Sequence, residues 1–211
     1  IQGVQAAEGW LYVMANGTLY RTPSLAPQAS PRTVLHGFQP PWSKQPEVQN
    51  SSFLQARPNS PQVLAGIRSL SLAMPITGAR LPERIALYPG ARRAYRYGIH
   101  RGIDFFAEDS SVAIQIGTPV RAVADGKVTR ADRYYHEMSE TELKQVLEES
   151  QQQHASSPAA LEKLGGRQVW IDHGAGVWSM YAHLDRVASS VYTGKMVRQG
   201  DVIGYVGVSG T

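Results

Sequence analysis

"RQVWIDHGAGVWSMYAHLD", residues 167–185, is the stretch whose reading decides the fold. Val169, Trp170 and Ile171 begin an apolar run, Gly174-Ala175-Gly176 interrupts it, and Val177, Trp178, Met180 and Tyr181 resume it. β-Branched and aromatic residues on both sides of a glycine turn predict two strands. His173 sits at the turn and reads as a turn histidine bonded to backbone. On an extended second arm Tyr181, His183 and Asp185 share a face, because alternate strand residues point the same way. Taken alone, His183 reads either as a half-buried histidine satisfied by its neighbours or as a reactive group.

The pattern continues outward in both directions. "GKMVRQGDVIGYVGVSGT" (194–211) is again strand-like with glycine turns. In "GTPVRAVADGKVTRA" (117–131), Val120, Ala122 and Ala124 alternate before Asp125-Gly126 turns the chain. These two blocks place a glycine, a valine strand and a glycine turn at comparable spacing. The echo fits a duplicated β motif, or coincidence among glycine-turn strands. The 20 glycines and 13 prolines among 211 residues favour short strands over a helical bundle. A 42% hydrophobic content is enough for a core. The expected fold is mainly β and antiparallel.

One segment departs from the pattern. Ser139 with Glu142 forms a capping box, and Leu143, Val146 and Leu147 form a helical stripe that fades in Gln151–Gln153. Ser157 and Pro158 start a second helix, with Leu161 and Leu164 apolar and Gly165-Gly166 as the stop. This helical insert, bounded at 132–167, is expected to border the site, limiting access or docking a regulator, or to be a surface decoration. At the N-terminal end, residues 10–22 read as a hairpin about Asn16-Gly17. Eight prolines across residues 23–62 read as an extended arm. The expected division is an arm over 1–71 and a β domain over 72–211.

The absence of cysteine excludes disulfides, thiolate metal sites and cysteine nucleophiles. A metal site must then use His, Asp or Glu. The 21 Lys and Arg against 17 Asp and Glu give a net charge of +4, with a pI near 9.4. Such an excess suits contact with anionic polymers, and equally suits an ordinary soluble protein. Arg92, Arg93, Arg96 and Arg101 form a cluster that reads as a steering surface or as a solvated basic face. No basic motif interleaved with aromatics points to nucleic acid. No apolar run approaches the ~20 residues of a membrane-spanning helix.

"RYGIHRGIDFFAEDS" (96–110) holds His100 and Asp104 about Gly102. A fully extended chain would part the two Cα atoms by roughly 13 Å. A bend at Gly102 would bring both side chains to one ion. His-x-x-x-Asp alone reads either as a structural turn or as half of a metal site. His136 and His154, in or beside the insert, read as surface histidines.

Taken in order, "HRGIDF", "GTPVRAVADGKV", "VWIDHGAGVWSMYAHL" and "VRQGDVIGYVGVSGT" resemble the M23 family of zinc metallopeptidases, the lysostaphin- or LytM-type cell-wall endopeptidases. The resemblance spans about residues 72–211 and leaves out the N-terminal arm and the insert. It implies an antiparallel β fold of duplicated hybrid type with a groove across one sheet. It implies one zinc ion, with His100 and Asp104 as two of its ligands and His183 as a catalytic histidine. The family's third ligand and a second catalytic histidine come from a His-x-His motif. No such motif occurs among the six histidines. The sequence ends at Ser209-Gly210-Thr211, where that motif would follow, so either the natural chain continues beyond Thr211, which is the favoured expectation, or the third ligand comes from elsewhere.

The implied activity is zinc-dependent hydrolysis of the peptide cross-links of peptidoglycan, in the cell envelope, periplasmic or extracellular. A second reading is a non-catalytic M23-like envelope protein that binds the wall or regulates another hydrolase. A third, a biotinyl- or lipoyl-type carrier suggested by "VRQGDVIGYVG", needs a lysine at a hairpin tip. Lys127 lacks the expected neighbours for that role.

Overall fold

The computed structural model describes residues 69–210, together with the backbone of four strands in the segment before them. Those strands are β1 (Val4–Ala7), β2 (Trp10–Ala15), β3 (Thr18–Pro23) and β4 (Arg32–Leu35), which form one antiparallel sheet in chain order. Ala15 opposes Thr18, so the two arms of the expected hairpin pair in the expected register. β4 adds a strand inside the proline-rich stretch that was expected to be irregular, and it pairs with β3. The rest of residues 23–62 lies outside the described residues.

Further along, β5 (Arg92–Arg93) and β6 (Gly98–Ile99) form a short ribbon, followed by α1 (Ala107–Ser110). β7 (Pro119–Arg121) and β8 (Gly126–Ala131) come next, then α2 (Glu140–Gln152) and α3 (Pro158–Leu164). The chain closes with β9 (Val169–Asp172), β10 (Trp178–Tyr181), β11 (Leu184–Val187), β12 (Met196–Val197) and β13 (Val202–Val206). Two antiparallel sheets result, in the orders β10-β9-β8-β12 and β11-β13-β7.

The echo between the two sequence blocks has a structural meaning. β7 belongs to the three-stranded sheet and β8 to the four-stranded one. β12 and β13 make the reverse crossing. Each strand of one block pairs with a strand of the other: Pro119 opposes Tyr205, and Lys127 opposes Met196. Where the blocks cross, the Ala122 N–H donates to Asp201 O at 2.9 Å and the Gly200 N–H to Ala122 O at 2.9 Å.

Alternation then turns the apolar residues inward. Val120, Ala122, Val128, Val169, Ile171, Leu184, Val191, Val197 and Ile203 form one core. Val128, Val169, Ile171 and Ile203 have no exposed surface, and each such side chain contributes about 1.5–3 kcal/mol by its burial.

The insert follows its local signals. Ser139 and Glu142 form a reciprocal capping box at the N-terminus of α2, and Ser157 caps α3 with Pro158 at its first position. Val146, Ala160 and Leu164 form a small core of their own with Met138, Leu143 and Leu147. Ser156 Oγ donates to the carbonyl of Arg96, which ties the insert to the turn before β6. No helix among the described residues is long and apolar enough to cross a membrane.

Candidate metal centre

The His100–Asp104 limb is built on backbone pairings with the segment before it. The His100 N–H donates to Ala91 O at 2.7 Å, and the Gly90 N–H to His100 O at 2.9 Å. The chain bends at Gly102, and the Asp104 N–H then donates to Leu87 O at 2.9 Å. The bend brings His100 Nε2 to 3.0 Å from Asp104 Oδ1. The other carboxylate oxygen, Oδ2, accepts from Arg93 Nη2 at 2.8 Å, and Arg93 Nη1 donates to Ala86 O at 3.0 Å.

Burial is the largest influence on the Asp104 carboxyl and pushes its pKa up. The His100 hydrogen bond, with the charges of His100, Arg93 and His183, outweighs it. The carboxyl therefore sits below the ordinary carboxylate range. His100 Nδ1 is buried without a hydrogen-bond partner, so the protein satisfies only one side of this ring. The pair fits zinc as two of its ligands: an imidazole and a carboxylate are its usual donors. Their 3.0 Å separation is near the roughly 3.4 Å between neighbouring donors about a tetrahedral zinc. Among the described residues no third His, Asp or Glu joins them.

The His183 corner corrects the expectation of one strand through Tyr181, His183 and Asp185. β10 ends at Tyr181, and β11 begins at Leu184 in the other sheet. His183 is the pivot between them, with φ at 57°, a left-handed conformation that histidine tolerates better than most residues. Its N–H donates to Gly165 O at 3.0 Å, and the Leu184 N–H to Arg167 O at 3.1 Å. These bonds turn the backbone out of its first sheet. His183 Nδ1 lies 2.8 Å from Ser209 O. A carbonyl only accepts, so Nδ1 carries the proton and Nε2 presents its lone pair.

Ser209 is held in turn. Its Oγ donates to Leu184 O at 2.8 Å and accepts from the Arg167 N–H at 3.0 Å. The Gly210 N–H donates to Glu137 Oε1 at 2.8 Å. Gly166 has φ at 61°, and a Cβ there would lie 2.3 Å from Ser209 O. Both ends of the insert thus press against the segment that orients His183. The sequence reading found Gly165-Gly166 as a helix stop, but not this contact, and it missed Ser209.

The remaining candidates separate. His173 Nδ1 donates to Asp125 O at 2.7 Å, the backbone bond expected of a turn histidine. Its Nε2 then accepts from Ser179 Oγ at 2.8 Å, and Ser179 Oγ lies 3.0 Å from the Tyr181 hydroxyl. The Val123 N–H donates to that hydroxyl at 2.9 Å. Burial, partly opposed by the Ser179 and Val123 bonds, pushes the Tyr181 phenol up to about 12. His136 and His154 are exposed, as expected.

The arginines do not form one basic face. Arg92 is exposed. Arg93 binds Asp104. Arg96 is 7% exposed and donates to Ile99 O at 2.7 Å. Burial and then the Arg96 charge lower the pKa of Arg101.

Three comparisons bear on this geometry. A family model described as Peptidase family M23 matches residues 98–211. The match takes in His100, Asp104, His183 and Ser209, whereas Ala86, Leu87 and Arg93 precede it. No curated protein matches the chain. Among solved structures it is similar to a crystal structure of a candidate M23 peptidase from Pseudomonas aeruginosa, at 20% identity, with 92% of this chain and 61% of that chain covered and a TM-score of 0.32. So low a TM-score carries no argument about the site.

Proposed function

The chain belongs to peptidase family M23, and from that premise we propose that it is a zinc-dependent endopeptidase that cleaves the peptide cross-links of bacterial peptidoglycan in the cell envelope. The observation that carries the proposal is the convergence of His100 Nε2 and Asp104 Oδ1 at 3.0 Å. The nearby His183 has its tautomer fixed by Ser209 O. His100 and Asp104 would hold the ion. When bound, zinc supplies Lewis acidity that polarises a peptide carbonyl and makes water a stronger acid at neutral pH.

The chain's own residues supply the rest. Asp104 is held as a carboxylate by its neighbours, so it brings a full negative charge to the ligand set. His183, protonated at Nδ1, offers a free Nε2 that takes a proton from water as it attacks the peptide carbonyl. The same nitrogen returns the proton to the departing amine. The modest basic excess of the chain suits an anionic wall polymer.

The second reading is a non-catalytic envelope protein that binds the wall or regulates another hydrolase. It is favoured by the absence, among the described residues, of a third ligand beside the pair. Purified peptidoglycan incubated with the zinc-loaded protein separates the two. The peptidase should release muropeptides at a rate that falls about 10²–10⁴-fold in His183→Ala, the range of a lost general acid–base. If wild type and His183→Ala release equally little with zinc present, the enzyme reading is lost and the binding one stands.

A further inference from the structure

We infer that Arg93 is a positioning residue for the metal-binding pair: it holds Oδ2 of Asp104 so that Oδ1 alone faces His100. The inference rests on the zinc site proposed above. A carboxylate presents two oxygens, and a free side chain can turn either or both towards a cation. Here each oxygen has its own partner: Oδ1 meets His100 Nε2 at 3.0 Å and Oδ2 meets Arg93 Nη2 at 2.8 Å.

Arg93 is itself anchored. Its backbone pairs with Gly98 in the β5–β6 ribbon, and its Nη1 donates to Ala86 O. The 3-10 turn Ile85–Leu87 supplies both the Ala86 carbonyl that receives Arg93 and the Leu87 carbonyl that receives the Asp104 N–H. One turn therefore fixes the positions of guanidinium and carboxylate together. The ion pair is mostly sheltered, at 17% and 29% side-chain exposure, so water does little to loosen it.

The chemistry selects arginine. Nη1 and Nη2 diverge in a rigid plane onto a carbonyl and a carboxylate, whereas the single ammonium of a lysine has no fork to divide between them. None of the neighbouring arginines takes this place. Arg92 is exposed, and Arg96 is committed to Ile99 O. Arg93 and its turn precede the residues matched by the family model. The consequence of the Arg93 contact is that Asp104 offers zinc a single, pre-aimed oxygen.

The test titrates zinc into the metal-free protein against a chromophoric chelator, for wild type, Arg93→Met and Arg93→Lys. Loss of a residue that orients a ligand typically weakens metal binding by about 10–100-fold. That range is expected for Arg93→Met, with a smaller loss for Arg93→Lys. Folding of each variant is checked by its thermal transition, and Arg93→Lys carries the test if the methionine variant does not fold. Zinc binding that is unchanged, or tighter, in a folded variant would overturn the inference.

A second readout needs no metal. The His100 Nε2–H resonance, protected by its bond to Asp104, should be visible by nitrogen-15 NMR in the metal-free wild type and broadened or lost in Arg93→Met. If wild type binds no zinc, the proposed function fails. Arg93 is then decided by this resonance alone: its survival in Arg93→Met refutes the positioning role, and its loss supports it.

Discussion

The two limbs of the candidate site are held by different means. The His100–Asp104 limb lies on irregular chain between β6 and α1; backbone bonds hold its main chain, but its donor atoms are fixed by side chains alone, an imidazole, a carboxylate and a guanidinium. The His183 limb lies at the pivot between two sheets, and backbone fixes it: the carbonyls of Gly165, Arg167 and Ser209 receive its bonds. Their glycines differ in the same way. A Cβ at Gly102 would meet nothing within 4 Å, whereas one at Gly166 would strike Ser209 O at 2.3 Å. The first limb keeps its donor atoms on partners that a metal can replace. The second fixes one tautomer in one place.

The close approach of Gly166 to Ser209 O should make the second limb the more fragile one. Gly166→Ala adds a Cβ at a left-handed φ and against a carbonyl, and it should cost at least about 3 kcal/mol in urea unfolding. Gly102→Ala, with open space and no left-handed φ, should stay within about 0.5 kcal/mol. Equal midpoints for the two variants would erase the distinction between the limbs.

What the sequence revealed follows the range of the forces involved. The insert was legible nearly to the residue, because Ser139, Glu142, Ser157 and Pro158 act within one helical turn. The antiparallel β character was legible from the glycine turns and from the alternation of Val120, Ala122 and Ala124, but the division into two sheets was not. Nor was the end of β10, because a period of two looks the same on either side of a pivot. Gly165 and Ser209, which turn the chain at His183, reach it only in the folded state. Arg93 was invisible as an individual. Four arginines within ten residues carry identical charge, and only burial tells the one on Asp104 from the one on Ile99 O.

A pH profile of the metal-free protein's stability probes the surroundings of the two limbs at opposite ends. Asp104 has its pKa depressed in the folded state, so its contribution is complete above the ordinary value of 3.8 and is lost as pH falls below it. Tyr181, the last residue of β10 before the pivot, has its pKa raised from 10.0 to about 12. Between those values the unfolded chain has released the proton and the folded chain keeps it. Stability should therefore fall as pH rises from 10 to 12, by roughly 3 kcal/mol. Tyr135, whose phenol burial and Glu137 also push up to about 12, adds to the same arm, so Tyr181→Phe should reduce the alkaline slope and leave the acid arm unchanged. An alkaline slope as steep in Tyr181→Phe as in wild type would remove the Tyr181 phenol from the account.

The smallest effect is the most discriminating. Ser209 serves His183 through its backbone carbonyl but serves the insert's exit through its hydroxyl. Ser209→Ala removes the hydroxyl and keeps the carbonyl. The Arg167 N–H and the Leu184 carbonyl each lose a partner, which should cost about 1–2 kcal/mol of stability. His183 retains its acceptor, so turnover should fall far less than in His183→Ala. If turnover instead drops as steeply as in His183→Ala, the hydroxyl acts in the reaction and the division between a backbone-held limb and a side-chain-held limb is wrong. If stability alone falls, backbone is what orients the histidine, and the serine's hydroxyl serves to keep that backbone in place.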